Sequence, residues 1–285
     1  MHQMFGVHSA RELIQLLPGL REEERDSTLL LGPRWDRKRF CRKVRQANGL
    51  VCGNDGTVIA GSQWLDFRGR MTEEHREADA RDAARYVSGD RSDEGDRRLI
   101  LERARRLRES GLREDDIYQM ATRQSPRPGV RSLFASFPEQ NTAIVSYGLA
   151  DYPLAWARAH GVPVGKVYAL RLTWREKGDA LVLHGWDERT LVTEATKGDA
   201  RDRFRRTRDV DEQDVLVIED TPSMLARMRH PENLAVLIIP RHDPQPGRTA
   251  ERLRQLGEAG RFEDIDAFLV SDGFDLLLAA REGQL

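Results

Sequence analysis

Chemistry-bearing residues follow three apolar runs in this sequence. Leu50-Val51-Cys52 opens into Gly53-Asn54-Asp55-Gly56-Thr57, Ala143-Ile144-Val145 ends at Ser146, and Val215-Leu216-Val217-Ile218 ends in Glu219-Asp220. Lys197 opens a polar stretch between the second run and the third. If the runs are parallel strands of one open sheet, their polar ends meet beyond its carboxyl edge, where such sheets bind ligands. Hydroxyls, an ammonium and several carboxylates gathered there describe a site for a phosphoryl group and Mg²⁺.

Each residue also has an ordinary role. Asp55-Gly56 is a common turn dipeptide, Ser146 could cap a following helix, and Lys197 could be a solvated lysine. Glu219-Asp220 stands directly after four apolar residues, where an unpaired acidic pair is costly, and this favours a metal role. His75, His160 and His184 are scattered and read as structural or solvated. Arg68, Arg70 and Tyr86 could contact a leaving group, though each alone reads as a surface residue.

The elements that must position these groups are legible from period and punctuation. Ser9 to Glu24 reads as a short helix ending near Pro18-Gly19, and Arg37 to Gln46 as a second, stopped by Asn48-Gly49. From about Trp64 to Arg127 strand-like runs vanish. Thr72 can cap a helix there, Ile100, Ala104 and Leu107 recur at helical spacing, and Asp115 or Asp116 opens another helix after Gly111. Ser125 to Gly129 has the chemistry of a linker. Beyond it the pattern alternates. Strands are expected over 143–145, 167–174, 180–183, 215–218, 234–239 and 267–270, and helices over 150–160, 197–206, 223–228 and 249–259. Apolar runs alternating with helices imply an α/β protein with a Rossmann-like, mostly parallel sheet covered on both faces.

Composition narrows the function classes. The chain has 285 residues, enough for one sizeable α/β core plus a smaller subdomain. Lys+Arg 46 against Asp+Glu 47 leaves a formal net charge of -1, so nothing pulls the whole molecule toward nucleic acid or an anionic membrane. The basic stretch Arg201 to Arg208 is interleaved with aspartate and reads as a solvated helix face. A nucleic-acid-binding module is therefore the least favoured class. Of the two cysteines, Cys41 and Cys52, the second lies in an apolar run, which points to a buried free thiol there. No segment approaches the length needed to span a bilayer, and the expected compartment is the cytoplasm.

With these motifs in hand, the sequence resembles the haloacid-dehalogenase-like (HAD) hydrolase superfamily over roughly Leu50 to Ala280. Leu50 to Val58 matches an apolar strand followed by Asp-x-Asp-Gly-Thr-Val, except that Gly53 holds the first aspartate's place. Ile144-Val145-Ser146, Lys197, and Val217 to Pro222 match the other three motifs in order. A helical insert after the first core strand is similar to a C1-type cap, with a looser similarity to the cytosolic pyrimidine 5′-nucleotidases and phosphoserine phosphatases. The implied layout is an N-terminal helical extension over 1–44, a core over 45–63 and 130–285, and a helical cap over 64–129.

The resemblance implies Mg²⁺-dependent hydrolysis of a small phosphorylated metabolite or nucleotide. Asp55 would be general acid and then base, Thr57 and Ser146 would bond phosphate oxygens, and Lys197 would offset their charge. Asp220, helped by Glu219 and the backbone carbonyl of Asp55, would hold Mg²⁺. Gly53 supplies neither a nucleophile nor a carboxylate ligand, so a phosphoaspartate at that position is impossible. Water positioned by Asp55 could attack instead, or the chain could be a catalytically inactive phosphate- or nucleotide-binding relative with a regulatory or partner-binding role. The glycine could also be a substitution introduced into a natural aspartate, or Asp55 could itself be the nucleophile. The expected partner is a small phosphorylated molecule, with no nucleic acid and no membrane; homo-oligomerisation is left open.

Overall fold

The structure is a computed structural model that describes residues 3–22, 27–88, 92–242 and 246–285. Along the chain, β1 (Gln3–Gly6), α1 (Ala10–Glu22), β2 (Ser27–Leu31) and α2 (Arg37–Gln46) lead to β3 (Gly49–Cys52). Then come α3 (Gln63–Arg68), α4 (Glu73–Ser88), α5 (Asp93–Glu109), α6 (Glu114–Arg123) and α7 (Val130–Ala135). The alternating part holds β4 (Thr142–Leu149), α8 (Asp151–His160), the pair β5 (Lys166–Lys177) and β6 (Ala180–Asp187), and α9 (Lys197–Arg208). It closes with β7 (Val215–Glu219), α10 (Pro222–Met228), β8 (Leu234–Ile239), α11 (Pro246–Glu258), β9 (Ala267–Ser271) and α12 (Asp275–Arg281).

These strands form one sheet of order β1-β2-β9-β8-β7-β3-β4-β5-β6. Only the β2–β9 and β5–β6 pairs are antiparallel. Every residue of β3, β7, β8 and β9 is buried, as strands covered on both faces require. Successive side chains alternate between faces. Val51 and Val217 join the apolar layer under α1, α9, α10 and α11. Leu50, Cys52, Leu216 and Ile218 join the layer under α2, α7, α8, α12 and the insert. In α2 the buried Phe40, Cys41 and Val44 make one stripe, and Asp36 Oδ1 accepts from the Arg39 amide at 2.8 Å to start it.

The segment expected as a helical extension departs from that expectation, because it contributes two strands, β1 at the edge of the sheet and β2 between it and β9. Ser-Thr-Leu-Leu-Leu is short and lacks alternation, so only its pairing with β9 reveals it as a strand. Helix α1 also runs through Pro18-Gly19: Leu13, Leu17 and Leu20 keep a buried stripe on both sides of the proline, and tertiary packing outweighs the local break. Its expected end at Glu24 lies outside the described residues. Neither β1 nor α12 was foreseen. Strands β5 and β6 are longer than expected and pair as a hairpin around Gly178.

The helices between β3 and β4 leave and rejoin the core side by side, the Arg127 amide donating to Val58 O at 3.0 Å. They reach across the carboxyl edge. The Leu183 amide of β6 donates to Leu112 O at 2.8 Å. Asp96 of α5 accepts from Tyr147 Oη at 3.1 Å and from the Glu194 amide, just before α9, at 2.8 Å. Among the described residues no helix is long and apolar enough to cross a membrane.

Candidate active site

Strand register builds the site. Cys52 of β3 is paired with Ile218 of β7, and the Gly53 amide donates to Ile218 O at 2.9 Å. One step on, Gly53 lies beside Glu219, and cross-strand neighbours in a parallel sheet put their side chains on the same face. A Cβ at Gly53 would stand 2.5 Å from Glu219 Oε2, 2.7 Å from Oε1 and 2.7 Å from Thr57 Oγ1. The Glu219 carboxylate thus occupies the room that a side chain at position 53 would need. From α9, Lys197 Nζ meets Glu219 Oε2 at 2.5 Å, and both side chains are almost fully buried.

The turn after β3 brings in more of the expected set. Thr57 Oγ1 lies 3.3 Å from Glu219 Oε1 and 3.2 Å from Asp220 Oδ1, and accepts from the Asp220 amide at 3.1 Å. Gly56 has φ +75°, and a Cβ there would sit 2.2 Å from Asp220 Oδ2, so conformation and space both demand glycine. The Gly56 carbonyl accepts from Arg127 Nε at 3.1 Å and Nη2 at 2.8 Å.

Asp55 and Ser146 meet through a third residue. Gln63 Nε2 donates to Asp55 Oδ1 at 3.3 Å and to Ser146 Oγ at 3.1 Å, while its Oε1 accepts from the Leu149 amide at 2.9 Å. Its side chain crosses β4 over Gly148, where a Cβ would lie 2.2 Å from Gln63 Nε2. Asp55 also accepts from Ser62 Oγ at 3.0 Å and Asn54 Nδ2 at 2.6 Å. Ser146 lies inside β4 beside a register shift, and Ala150 occupies the N-cap of α8, so the helix-capping role does not apply.

The electrostatics are unbalanced toward acid. Burial pushes the Asp55 carboxyl above its ordinary range against the hydrogen bonds from Ser62, Asn54 and Gln63. Burial and then the Glu219 charge push Asp220 well up. Burial would raise Glu219 too, but the Lys197 ammonium and the hydrogen bond with Asp220 outweigh it and hold Glu219 low. The buried cluster therefore holds one ionised carboxylate paired with lysine and two carboxyls that retain protons more strongly than usual.

The Mg²⁺ set expected at Asp55, Glu219 and Asp220 is not assembled. Among the described residues no three His, Cys, Asp or Glu side chains are grouped to hold an ion. Position 53 gives no ligand and Glu219 is engaged by Lys197, which leaves only Asp220 and the Asp55 backbone carbonyl of the expected set. Asn54 Oδ1 is buried without a hydrogen-bond partner, but one neutral oxygen added to the Asp220 carboxyl is short of a hard-cation site. As arranged, these residues do not fit the metal.

Sequence reading missed Gln63 and gave Arg127 no role in the site. Gln63 stands in an unremarkable Gly-Ser-Gln stretch, and its importance comes from β4 passing beneath it. Arg127, in the linker, is signalled only by being a charged residue between prolines where the chain must rejoin the core.

No protein-family model and no curated protein matches this chain. Solved structures do. Cytosolic 5′-nucleotidase IIIB bound to cytidine superposes with a TM-score of 0.62 at 16% identity, covering 95% of this chain and 97% of its own. A HAD family hydrolase from Salmonella enterica subsp. enterica serovar Typhi gives 0.59 at 16% identity, over 84% of this chain and 73% of that one. A probable phosphoserine phosphatase from Vibrio cholerae gives 0.50 at 15% identity, over 86% and 70%. At such identities the likeness concerns architecture: this chain has a haloacid-dehalogenase-like fold.

Proposed function

We propose that this chain hydrolyses the phosphomonoester of a small phosphorylated metabolite or nucleotide at the carboxyl edge of β3, β4 and β7, with the helical insert as its cap. The observation that carries this reading is the Glu219 carboxylate in the side-chain space of Gly53, ion-paired to Lys197. The pocket keeps an anion beside a lysine, although its strand of origin has changed. Asp55 is placed to hold a proton for the leaving oxygen, since burial favours its neutral form. Thr57, Ser146 and Lys197 supply donors for phosphate oxygens. The nucleotidase of similar fold was crystallised with cytidine, which makes nucleoside monophosphates the first substrates to try. The cytoplasm remains the compartment we assign, in keeping with two buried free thiols.

A second reading, ligand binding without turnover, is favoured by the engagement of Lys197, Thr57 and Ser146 with protein groups. A panel of phosphomonoesters, run with and without Mg²⁺, separates the two. Turnover that Asp55→Asn abolishes supports the hydrolase. Saturable binding of a panel member with no phosphate release from any of them contradicts it.

A further inference from the structure

Position 53 and position 219 carry one carboxylate between them. Neighbouring strands of a sheet lie about 4.8 Å apart, so an aspartate on β7 would fall short of the space beside β3. Glutamate, one methylene longer, spans it, and its two oxygens lie 2.5 and 2.7 Å from where the Cβ of residue 53 would be. That is within the reach of an aspartate's own carboxylate oxygens from their Cβ. The group is also fixed in orientation. Oε2 is held by Lys197 at 2.5 Å, and Oε1 accepts from the Asp220 amide at 3.1 Å, with the Thr57 hydroxyl at 3.3 Å. A residue that merely filled space beside a glycine would need neither a charge nor a buried lysine to hold it.

Resting on the hydrolase reading above, we infer that Glu219 is the phosphoryl acceptor of this site, delivered from β7 in place of the side chain that β3 lacks. In the first step a bond forms between Glu219 Oε1 and phosphorus while the bond from phosphorus to the leaving oxygen breaks, and that oxygen takes the proton of Asp55. In the second step a water oxygen attacks phosphorus, Asp55 takes a water proton, and the P–Oε1 bond breaks to release phosphate and restore the carboxylate. Lys197 holds Oε2 and the charge of the transferring group throughout, and the Asp220 amide keeps Oε1 aimed.

The test uses the full chain and radiolabelled para-nitrophenyl phosphate, quenched in acid during turnover and digested. The expected result is label on the peptide containing Glu219, released by hydroxylamine as acyl phosphates are. Glu219→Gln should lower turnover by more than about 10³-fold while leaving the melting transition cooperative. Glu219→Gly combined with Gly53→Asp should regain at least roughly tenfold over Glu219→Gly alone, with the label moved to residue 53. Labelling of the unmodified protein reads the proposal even if a variant fails to fold. Turnover with no label at Glu219, or turnover by Glu219→Gln within about threefold of the parent, overturns the inference and leaves the hydrolase standing. Release of phosphate from no phosphomonoester at all overturns both.

Discussion

Two of the buried charge clusters among the described residues differ in kind. In the helical insert, Asp79 is 1% exposed and is met by Arg103 Nε at 2.6 Å, Arg68 Nε at 2.7 Å and Arg106 Nη1 at 3.9 Å. Burial works against its charge, but Arg103 and Arg68 prevail and hold Asp79 below the usual carboxylate range. At the sheet edge the outcome differs: Lys197 pairs with Glu219, and Arg252 acts on Asp220 through its charge, yet burial still pushes Asp55 and Asp220 up. In the insert Arg106 also meets Asp82 and Glu102, so the cluster balances its charges within itself and ties α3, α4 and α5 together. A cluster whose carboxyls are pushed up has groups poised to exchange protons, and such perturbed groups mark sites of chemistry more often than sites of structure.

The contrast can be broken first at its cation. Lys197→Met leaves Glu219 buried and unpaired next to Asp220, and should cost about 3–5 kcal/mol in urea unfolding at neutral pH. The loss should be smaller in acid, where the carboxylate can be neutralised. A loss below about 1 kcal/mol would show the pair to be ordinary surface-like electrostatics. Asp79→Asn should cost less, about 3 kcal/mol, because Arg68 is a third exposed and can turn to water. Para-nitrophenyl phosphate turnover, measured on the folded fraction, should not change, since Asp79 touches none of the edge residues.

The smallest effect sharpens the comparison through pH. A carboxyl whose pKa is higher folded than unfolded adds stability below the unfolded value and loses it as pH rises through the folded one. Asp220 is such a group. Asp220→Asn should therefore melt above the parent at about pH 8, with the difference shrinking toward about pH 4. Asp79, with its lowered pKa, runs the other way: its stabilisation is present above the unfolded pKa and fades as acid protonates it. Thermal melts of Asp220→Asn and Asp79→Asn across that range should diverge from the parent in opposite senses.

Much of the architecture was legible because the signals were local. Continuous apolar runs at 215–218 and 234–239 and the Asp-Gly-Thr string after β3 are written in adjacent residues, and all reappear as buried strands and a tight turn. Strands β1 and β2 were not legible, since the five residues of β2, without alternation, become a strand only when β9 lies beside them, and β1 pairs with β2 in turn. Among site residues, Thr57 and the acidic pair came from strand ends, and Lys197 from the head of a polar stretch. Gln63 did not, because its role depends on Gly148 opening a path over another strand. Glu219 was read as a metal ligand from its neighbour Asp220. Only the strand register shows that it stands beside Gly53.

The central claim, that Glu219 fills the side-chain space of position 53, is tested most directly by a double-mutant cycle in equilibrium unfolding of Gly53→Asp and Glu219→Gly. Each single change should destabilise, the first by crowding and like charge and the second by stranding Lys197. The double variant should be more stable than their sum by about 2 kcal/mol or more. Additivity within about 0.5 kcal/mol would contradict the account, because two side chains competing for one space cannot be energetically independent.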